Sequence, residues 1–189
     1  MGRYLATLAA HGARVAECTF RHPALQLATA HLYEHGTIDD QRNTMDAALS
    51  VGRLVGEATA QTPRERPLFD SEHGPIHTFK DHRRTLPGPF DDEYFRHMQW
   101  THCASGGAGG GMRWPNRHPH SLTAGMRAAQ RALSAFLPLF DWRHFRRRNR
   151  SAEVRVESPA LRALARGDEA QVVAWLTSRS PFAVDESQR

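Results

Sequence analysis

The residues with the clearest chemical potential lie in a short segment that begins at Pro67 and ends at Gly74. Two apolar residues, Leu68 and Phe69, follow the proline, and one carboxylate, Glu72, precedes the glycine. Proline is tolerated at the first residue of a strand, and glycine permits a sharp exit from it. The pattern predicts a short buried strand whose carboxyl end presents Glu72, where parallel α/β folds hold their catalytic groups.

Polar and aromatic side chains close two other predicted strands in the same way. His31 and Tyr33 end the strand predicted over residues 25–32, and Trp114 ends a strand that also includes Arg113. If the strands are parallel, their carboxyl ends meet at one edge of the sheet. A carboxylate near an aromatic surface suits a sugar, because the ring stacks on the pyranose and the carboxylate can attack the anomeric carbon.

The histidines and glycines of the chain indicate no cofactor. His97 and His102 are five residues apart on a predicted helix, so they do not share a face as a metal-binding i, i+4 pair would. We therefore expect the histidines to face solvent. The glycine-rich segment 106–111 lacks the Lys-Ser/Thr of a phosphate loop. Its glycines more plausibly let a strand enter a crowded interior or leave room beside a ligand.

Arginines are concentrated in residues 143–150. This run could follow the phosphates of a nucleic acid, with Trp142 and Phe145 as stacking surfaces. It could equally be a solvated connector, and we favour the connector because a charge run alone is weak support for binding. Lys80 is the only lysine, which indicates a coding bias towards arginine, so the net charge of +5 does not predict a nucleic-acid partner.

Hydrophobic periodicity predicts the elements that position these residues. Helices are predicted over residues 1–11, 44–60 and 90–104 and from 122 onward, and strands over 14–20, 25–32, 67–72 and 112–114. Beyond residue 150, strands predicted at 152–157 and 170–176 indicate a small all-β segment. The alternation of strands and helices before it favours parallel strands joined by crossover helices.

The bulk composition predicts a globular intracellular chain. Its 189 residues, 40% of them hydrophobic, can bury a core. Cys18 and Cys103 are isolated, which is typical of a reducing compartment. Because the sequence shows neither a signal peptide nor an apolar run of the ~18–20 residues that span a bilayer, we expect a cytoplasmic location and no membrane contact.

Taken together, the motifs at the strand ends resemble those of a known enzyme family. The family is the cellulase and mannanase type of (β/α)8 glycoside hydrolase, family five and its relatives. The resemblance covers roughly residues 1–178. The motifs that carry it, in chain order, are His31-Leu32-Tyr33, Ser71-Glu72-His73-Gly74 and Trp114.

The resemblance implies a function and a role for each motif. It implies retaining hydrolysis of a β-linked glycoside without a metal or organic cofactor, with Glu72 as the nucleophile. Trp114 would be the platform for the sugar, and His31 and Tyr33 would position the substrate or tune the nucleophile. His77 is a further candidate for contact with sugar hydroxyls, and so is Arg113.

The fold implied by the resemblance is a partial TIM barrel. Residues 1–150 would form the C-terminal half of a (β/α)8 barrel, about strands five to eight, residues 151–178 a small β segment, and residues 179–189 a disordered tail. The family's acid/base, a Glu after an Asn at the end of strand four, has no counterpart in the chain. The resemblance therefore implies a truncated hydrolase, inactive or nearly so unless another chain completes it.

The sequence leaves other functions and assembly states open. An open half barrel would expose strand edges and apolar interior, so a homo-oligomer or a missing N-terminal half is expected. A non-catalytic carbohydrate-binding or interaction module is the first alternative function. A nucleic-acid binder that uses residues 143–150 is the second.

Overall fold

The computed structural model describes residues 14, 16–31, 44–63, 66–73, 88–113, 122–145 and 147–178. Within these ranges the chain forms two three-stranded sheets and three α-helices. The first sheet contains β1 (Ala28–His31), β2 (Leu68–His73) and β3 (Gly109–Arg113). The second contains β4 (Arg148–Asn149), β5 (Leu161–Gly167) and β6 (Val172–Ser178). The helices are α1 (Thr44–Gln61), α2 (Gly88–Ala104) and α3 (Ala124–Phe136).

The three helices lie close to their predicted ranges. Predicted helices at 44–60 and 90–104 correspond to α1 and α2, and the helix predicted from residue 122 begins two residues later. The side chain of Thr123 caps α3 by accepting a hydrogen bond from the backbone N–H of Met126 at 3.1 Å. Among the described residues no helix is both long enough and apolar enough to cross a membrane.

The first sheet is parallel, and each strand lies beside its neighbour in sequence, in the order β1-β2-β3. On β2, Leu68 and Asp70 are almost fully buried, whereas Phe69 between them is 36% exposed. On β1, Ala28 and Ala30 are buried and Thr29 is exposed. One face of the sheet is therefore covered, and the opposite face carries Thr29 and Phe69.

The main core lies between the covered face of this sheet and the helices α1 and α2. Four apolar residues of α1 recur at helical spacing and share the face that meets the sheet, where all four are buried. This stripe consists of Ala48, Val51, Val55 and Ala58. Tyr94 and Met98 of α2 and Leu68 of β2 complete the contact between the layers.

The strand predicted at residues 14–20 is wrong, because residues Ala16–Phe20 form a π-helical turn. The backbone N–H of Arg21 donates to the carbonyl of Ala16 at 2.8 Å and closes this turn. Ala16 and Phe20 are both buried in the main core. Two buried residues four apart reach the same side of one helical turn, whereas a strand would bury every second residue.

The second sheet is antiparallel, and its strands β5 and β6 pack on α2. Two glycines of α1 make room for it. A Cβ on Gly52 would lie 2.6 Å from Cδ1 of Leu164, and a Cβ on Gly56 would lie 2.5 Å from a guanidinium nitrogen of Arg166. The second sheet therefore packs on α1 as well as on α2.

The tail departs from its predicted strands in one place and follows them in another. Residues 152–157 do not form a strand: Ser151–Glu153 is a 3₁₀ turn, and the following residues are irregular. Alternate residues there are more and less exposed, but none of the described strands pairs with them. The strand predicted at 170–176 is present as β6, and β5 was not predicted.

Parts of the predicted domain organisation fall outside the described residues, including the helix at 1–11 and the tail at 179–189. The second sheet already begins at Arg148, because β4 pairs with β5. Its first strand thus lies before the boundary predicted at residue 150.

Candidate active site

Glu72 lies at the carboxyl end of β2, the central strand of the parallel sheet, as its sequence context predicts. The register between β1 and β2 shifts here, because Ala30 pairs with Asp70 but His31 pairs with Glu72. The additional residue is Ser71, whose hydroxyl donates to the carbonyl of Ala30 at 3.2 Å. Bulges of this kind redirect side chains near strand ends. The bulge places Glu72, and not Ser71, opposite His31.

The two side chains meet at the open edge of the sheet. Nδ1 of His31 lies 3.6 Å from Oε1 of Glu72, which is within ion-pair range but beyond a good hydrogen bond. The His31 side chain is 56% exposed, and the Glu72 side chain is 21% exposed. The carboxylate is thus partly enclosed, and a ligand at this edge can still reach it.

The structure places two of the predicted site residues together and a third on the next strand. His31 and Glu72 are in contact, and Arg113 is the last residue of β3, paired in register with His73. The side chain of Arg113 is not among those the structure describes. Three predicted site residues lie wholly outside the described residues: Tyr33, His77 and Trp114.

A buried contact between a histidine and an aspartate, which the sequence did not predict, lies just behind this edge. Nε2 of His102 on α2 is 2.7 Å from Oδ2 of Asp70 on β2, and the two side chains are 1% and 0% exposed. A Cβ on Gly110 of β3 would lie only 2.4 Å from Nδ1 of His102, so this glycine makes room for the imidazole. The pair joins β2 to α2 two residues before Glu72. An aspartate within an apolar strand was the available sequence signal.

The expectation that the histidines of α2 face solvent is wrong. His97 is 7% exposed, its Nε2 lies 3.2 Å from Oε1 of Glu93, and its ring stands edge-on to Trp175 at a centroid distance of 5.8 Å. Burial lowers the pKa of His97, and the hydrogen bond and charge of Glu93 oppose this shift. The described residues contain no group of three or more His, Cys, Asp or Glu side chains that could hold a metal ion.

Of the glycines in residues 106–111, Gly109, Gly110 and Gly111 lie in β3, which begins at Gly109. A Cβ on Gly109 would lie 3.2 Å from the ring of Phe69 on the neighbouring strand. The glycines therefore admit side chains from both faces of the sheet: Phe69 from the open face and His102 from the helix layer. Side chains of the protein therefore occupy the space that Gly109 and Gly110 leave on these two sides.

Two arginines of residues 143–150 form hydrogen bonds with other groups of the protein. The guanidinium of Arg147 donates to the carbonyls of Arg66 at 3.0 Å and Gly106 at 3.3 Å. Arg147 is thus bound to the segment before β2 and to the segment before β3. Arg150 donates to the carboxylate of Glu153 at 2.7 Å. These contacts favour the connector interpretation, because both guanidinium groups are bound by groups of the chain itself.

Comparison with known proteins supplies no relative for this chain: no family model matches it, and neither does any curated protein or solved structure. The described residues combine three α-helices with a three-stranded parallel sheet and a three-stranded antiparallel sheet. The function of the strand-end site therefore has to be inferred from its own geometry.

Proposed function

We propose that the chain is part of a retaining glycoside hydrolase, in which Glu72 is the nucleophile that attacks the anomeric carbon of a β-linked sugar. The observation that carries the proposal is the position of Glu72. It stands at the carboxyl end of the central parallel strand, directed by a bulge, with His31 beside it. Substrates of parallel α/β proteins bind outside the carboxyl ends of the strands.

We also propose that β1, β2 and β3 correspond to three successive strands of a (β/α)8 barrel. The support is the strand order, which continues in one direction, together with the helices, since α1 packs on α2 and α2 on α3. In a doubly wound sheet the order reverses at a switch point, whereas in a barrel each strand adds on the same side. Right-handed crossovers then keep successive helices on one face.

In this proposal the remaining site residues bind the sugar. Trp114 forms the platform beneath the ring, and His31 and Tyr33 position the substrate against the nucleophile. Arg113 and His77 contact hydroxyl groups. An aromatic face suits the apolar face of a pyranose, and hydrogen bonds to its hydroxyls strengthen towards the transition state.

The mechanism needs a second carboxyl group about 5–5.5 Å from the first, which protonates the leaving oxygen as the ester with the nucleophile forms. The sequence contains no Asn-Glu pair that would match the acid/base of the family. We propose that a complementary half barrel supplies it. Without such a group, hydrolysis of an ordinary glycoside loses a factor on the order of 10²–10⁴. A substrate whose leaving group departs without a proton avoids this loss.

The experiment therefore uses a substrate whose leaving group needs no proton. The purified chain is incubated with 2,4-dinitrophenyl 2-deoxy-2-fluoro-β-glucoside and with the corresponding mannoside. Dinitrophenolate leaves unprotonated, and the fluorine slows hydrolysis of the glycosyl ester, so the adduct accumulates. Mass spectrometry of the intact chain and of its peptides is expected to show one fluoroglycosyl group on Glu72, and none in Glu72→Gln.

The matched control is Glu57→Gln, which removes an exposed carboxylate of α1 that pairs with Arg53 on the surface. This variant is expected to be labelled like the wild type. Failure of both sugars to label the wild type, or labelling that survives Glu72→Gln, contradicts the proposal. Binding of β-linked oligosaccharides without labelling would instead support the non-catalytic module, and steeply salt-dependent binding of RNA or DNA would support the nucleic-acid binder.

A further inference from the structure

A cavity of about 580 Å³ lies at the amino-terminal edge of the parallel sheet. Pro67, which precedes β2, and Gly106–Ala108, which precede β3, form part of its wall. Gly109 and Gly110 of β3 also line it, together with residues of α2, of α3 and of the segment that follows α3. Glu72 lies at the other end of β2, so this cavity is separate from the candidate active site. Its volume falls within the roughly 300–1,000 Å³ of small-molecule sites.

Much of the cavity wall is apolar. Leu133 and Leu137 line it from α3 and the turn after it, and Trp142 and Phe145 line it from the following segment. The thiol of Cys103, which also lines the cavity, is buried, and burial raises its pKa to about 11. The cavity can therefore receive an apolar body that displaces water from these side chains.

Among the described residues that line the cavity, the charged ones are arginines. They are Arg143 and Arg147, and none of the described lining residues is an aspartate or a glutamate. Arg143 is exposed, and its guanidinium makes no hydrogen bond or ion pair with the part of the chain that the structure describes. Arg147 is held in place by the carbonyls of residues 66 and 106.

A third guanidinium reinforces this positive potential. Arg166 of β5 donates to the carbonyl of Arg147 at 3.2 Å, and its side chain is almost fully buried. Burial, and then the like charge of Arg147, lower the pKa of Arg166 to about 10, so it remains a cation at neutral pH. An anion in the cavity would be attracted by all three arginines.

We propose that this cavity binds a small amphipathic carboxylate. The carboxylate accepts hydrogen bonds from Arg143 and Arg147, because a guanidinium offers two parallel donors that match a carboxylate. The aliphatic or aromatic body packs against Leu133, Leu137 and Trp142. A phosphate dianion fits less well, since it would lose more hydration beside apolar walls. The proposal is independent of the chemistry assigned to Glu72.

Two probes of equal chain length and opposite charge test it. Isothermal titration calorimetry is expected to show binding of decanoate and at least about tenfold weaker binding of decyltrimethylammonium, because the charged residues described in the wall are arginines. Arg143→Gln is expected to weaken decanoate binding about tenfold, the loss of one charge-assisted hydrogen bond. Arg131→Gln removes an exposed arginine of α3 that does not line the cavity, and it should bind like the wild type.

A second pair of variants and a chemical reporter locate the ligand. Leu133→Trp fills the cavity and is expected to abolish binding, whereas Leu139→Trp, at a position that is 74% exposed and outside the wall, is not. Decanoate is also expected to slow alkylation of Cys103 by iodoacetamide at alkaline pH. Cys18 is exposed and serves as the internal control, with an unchanged rate.

Three results would overturn the proposal. They are an absence of decanoate binding, equal affinity for the cationic probe, and binding that neither Arg143→Gln nor Leu133→Trp reduces. If Leu133→Trp does not fold by circular dichroism, the surface variant Arg143→Gln and the alkylation rate of Cys103 in the wild type still decide the question.

Discussion

Asp70 and His102 form the contact that most directly supports the strand carrying Glu72. Both side chains are buried, and Nε2 and Oδ2 are 2.7 Å apart. Removing one partner is expected to destabilise the fold by about 1–3 kcal/mol, because the other polar group then stays buried without its partner. The pair also requires a glycine in β3, since any side chain at position 110 would occupy the space of the imidazole.

Gly110→Ala is expected to destabilise the protein by about 1–3 kcal/mol, the usual effect of forcing atoms into a packed core. The new Cβ would lie 2.4 Å from Nδ1 of His102 and 3.0 Å from Nε2 of Gln99. Urea unfolding followed by circular dichroism measures the change. Gly109→Ala is the control, because its Cβ would meet only the half-exposed ring of Phe69 at 3.2 Å, and this ring can turn away. Equal stability of the two variants would contradict the prediction.

At the scale of elements, α2 has the most unusual environment. It contacts strands of both sheets and packs against α1 and α3. Of its described side chains only Arg96 is exposed, although the helix includes His97, Gln99, Thr101 and His102. A helix buried on all sides is expected to be apolar all round. In α2 several polar side chains serve specific contacts instead, such as that of His97 with Glu93.

Acidification is expected to weaken the packing of α2 on the second sheet through His97. Burial lowers the pKa of His97 in the folded state, so the unfolded chain binds the proton first. The contribution of His97 to the free energy of unfolding is therefore fully present above the ordinary histidine pKa of 6.5. It is lost as the pH falls from there towards the lowered pKa of His97 in the folded state. The melting temperature is expected to drop between about pH 7.5 and about pH 5.

His97→Gln keeps a hydrogen-bond donor for Glu93 but does not titrate, so its melting temperature is expected to fall less over the same range. His22→Gln is the matched control, because His22 is exposed. It should show the full pH dependence of the wild type. The same pH dependence in His97→Gln would show that other groups are responsible.

At the scale of the whole molecule, the two faces of the parallel sheet differ. Helices cover one face, while the other carries Thr29 and Phe69 and has no covering element among the described residues. Parallel sheets are usually buried on both faces. The proposed half barrel accounts for this difference, since the open face would be the barrel interior.

The isolated chain is accordingly expected to self-associate through this face. Sedimentation velocity is expected to show species larger than one chain, and Phe69→Glu is expected to shift them towards the monomer, since a charge would have to be buried in the contact. Leu139→Glu places a charge on an exposed residue away from the sheet and should leave the distribution unchanged. A wild type that is monomeric and melts cooperatively would count against the half barrel.

Local patterns in the sequence determined the individual elements. The stripe from Ala48 to Ala58 defines α1, and the sequence from Pro67 to Glu72 defines β2, because helical and strand periodicity are properties of neighbouring residues. The same logic failed at residues 14–20 and 152–157. In residues 14–20, two apolar positions four residues apart suit a helical turn better than a strand. Residues 152–157 alternate as a strand would, but none of the described strands pairs with them.

Only the tertiary structure decided which residues meet. The bulge at Ser71, which sets Glu72 against His31, exists because two strands some 40 residues apart pair with a register shift. The contact of Asp70 with His102 likewise depends on α2 lying over β2, and on a glycine in a third element. Periodicity describes one surface of one element. It does not specify which other element will cover that surface. The packing of the elements on each other sets the position of Glu72 and buries His97 and His102.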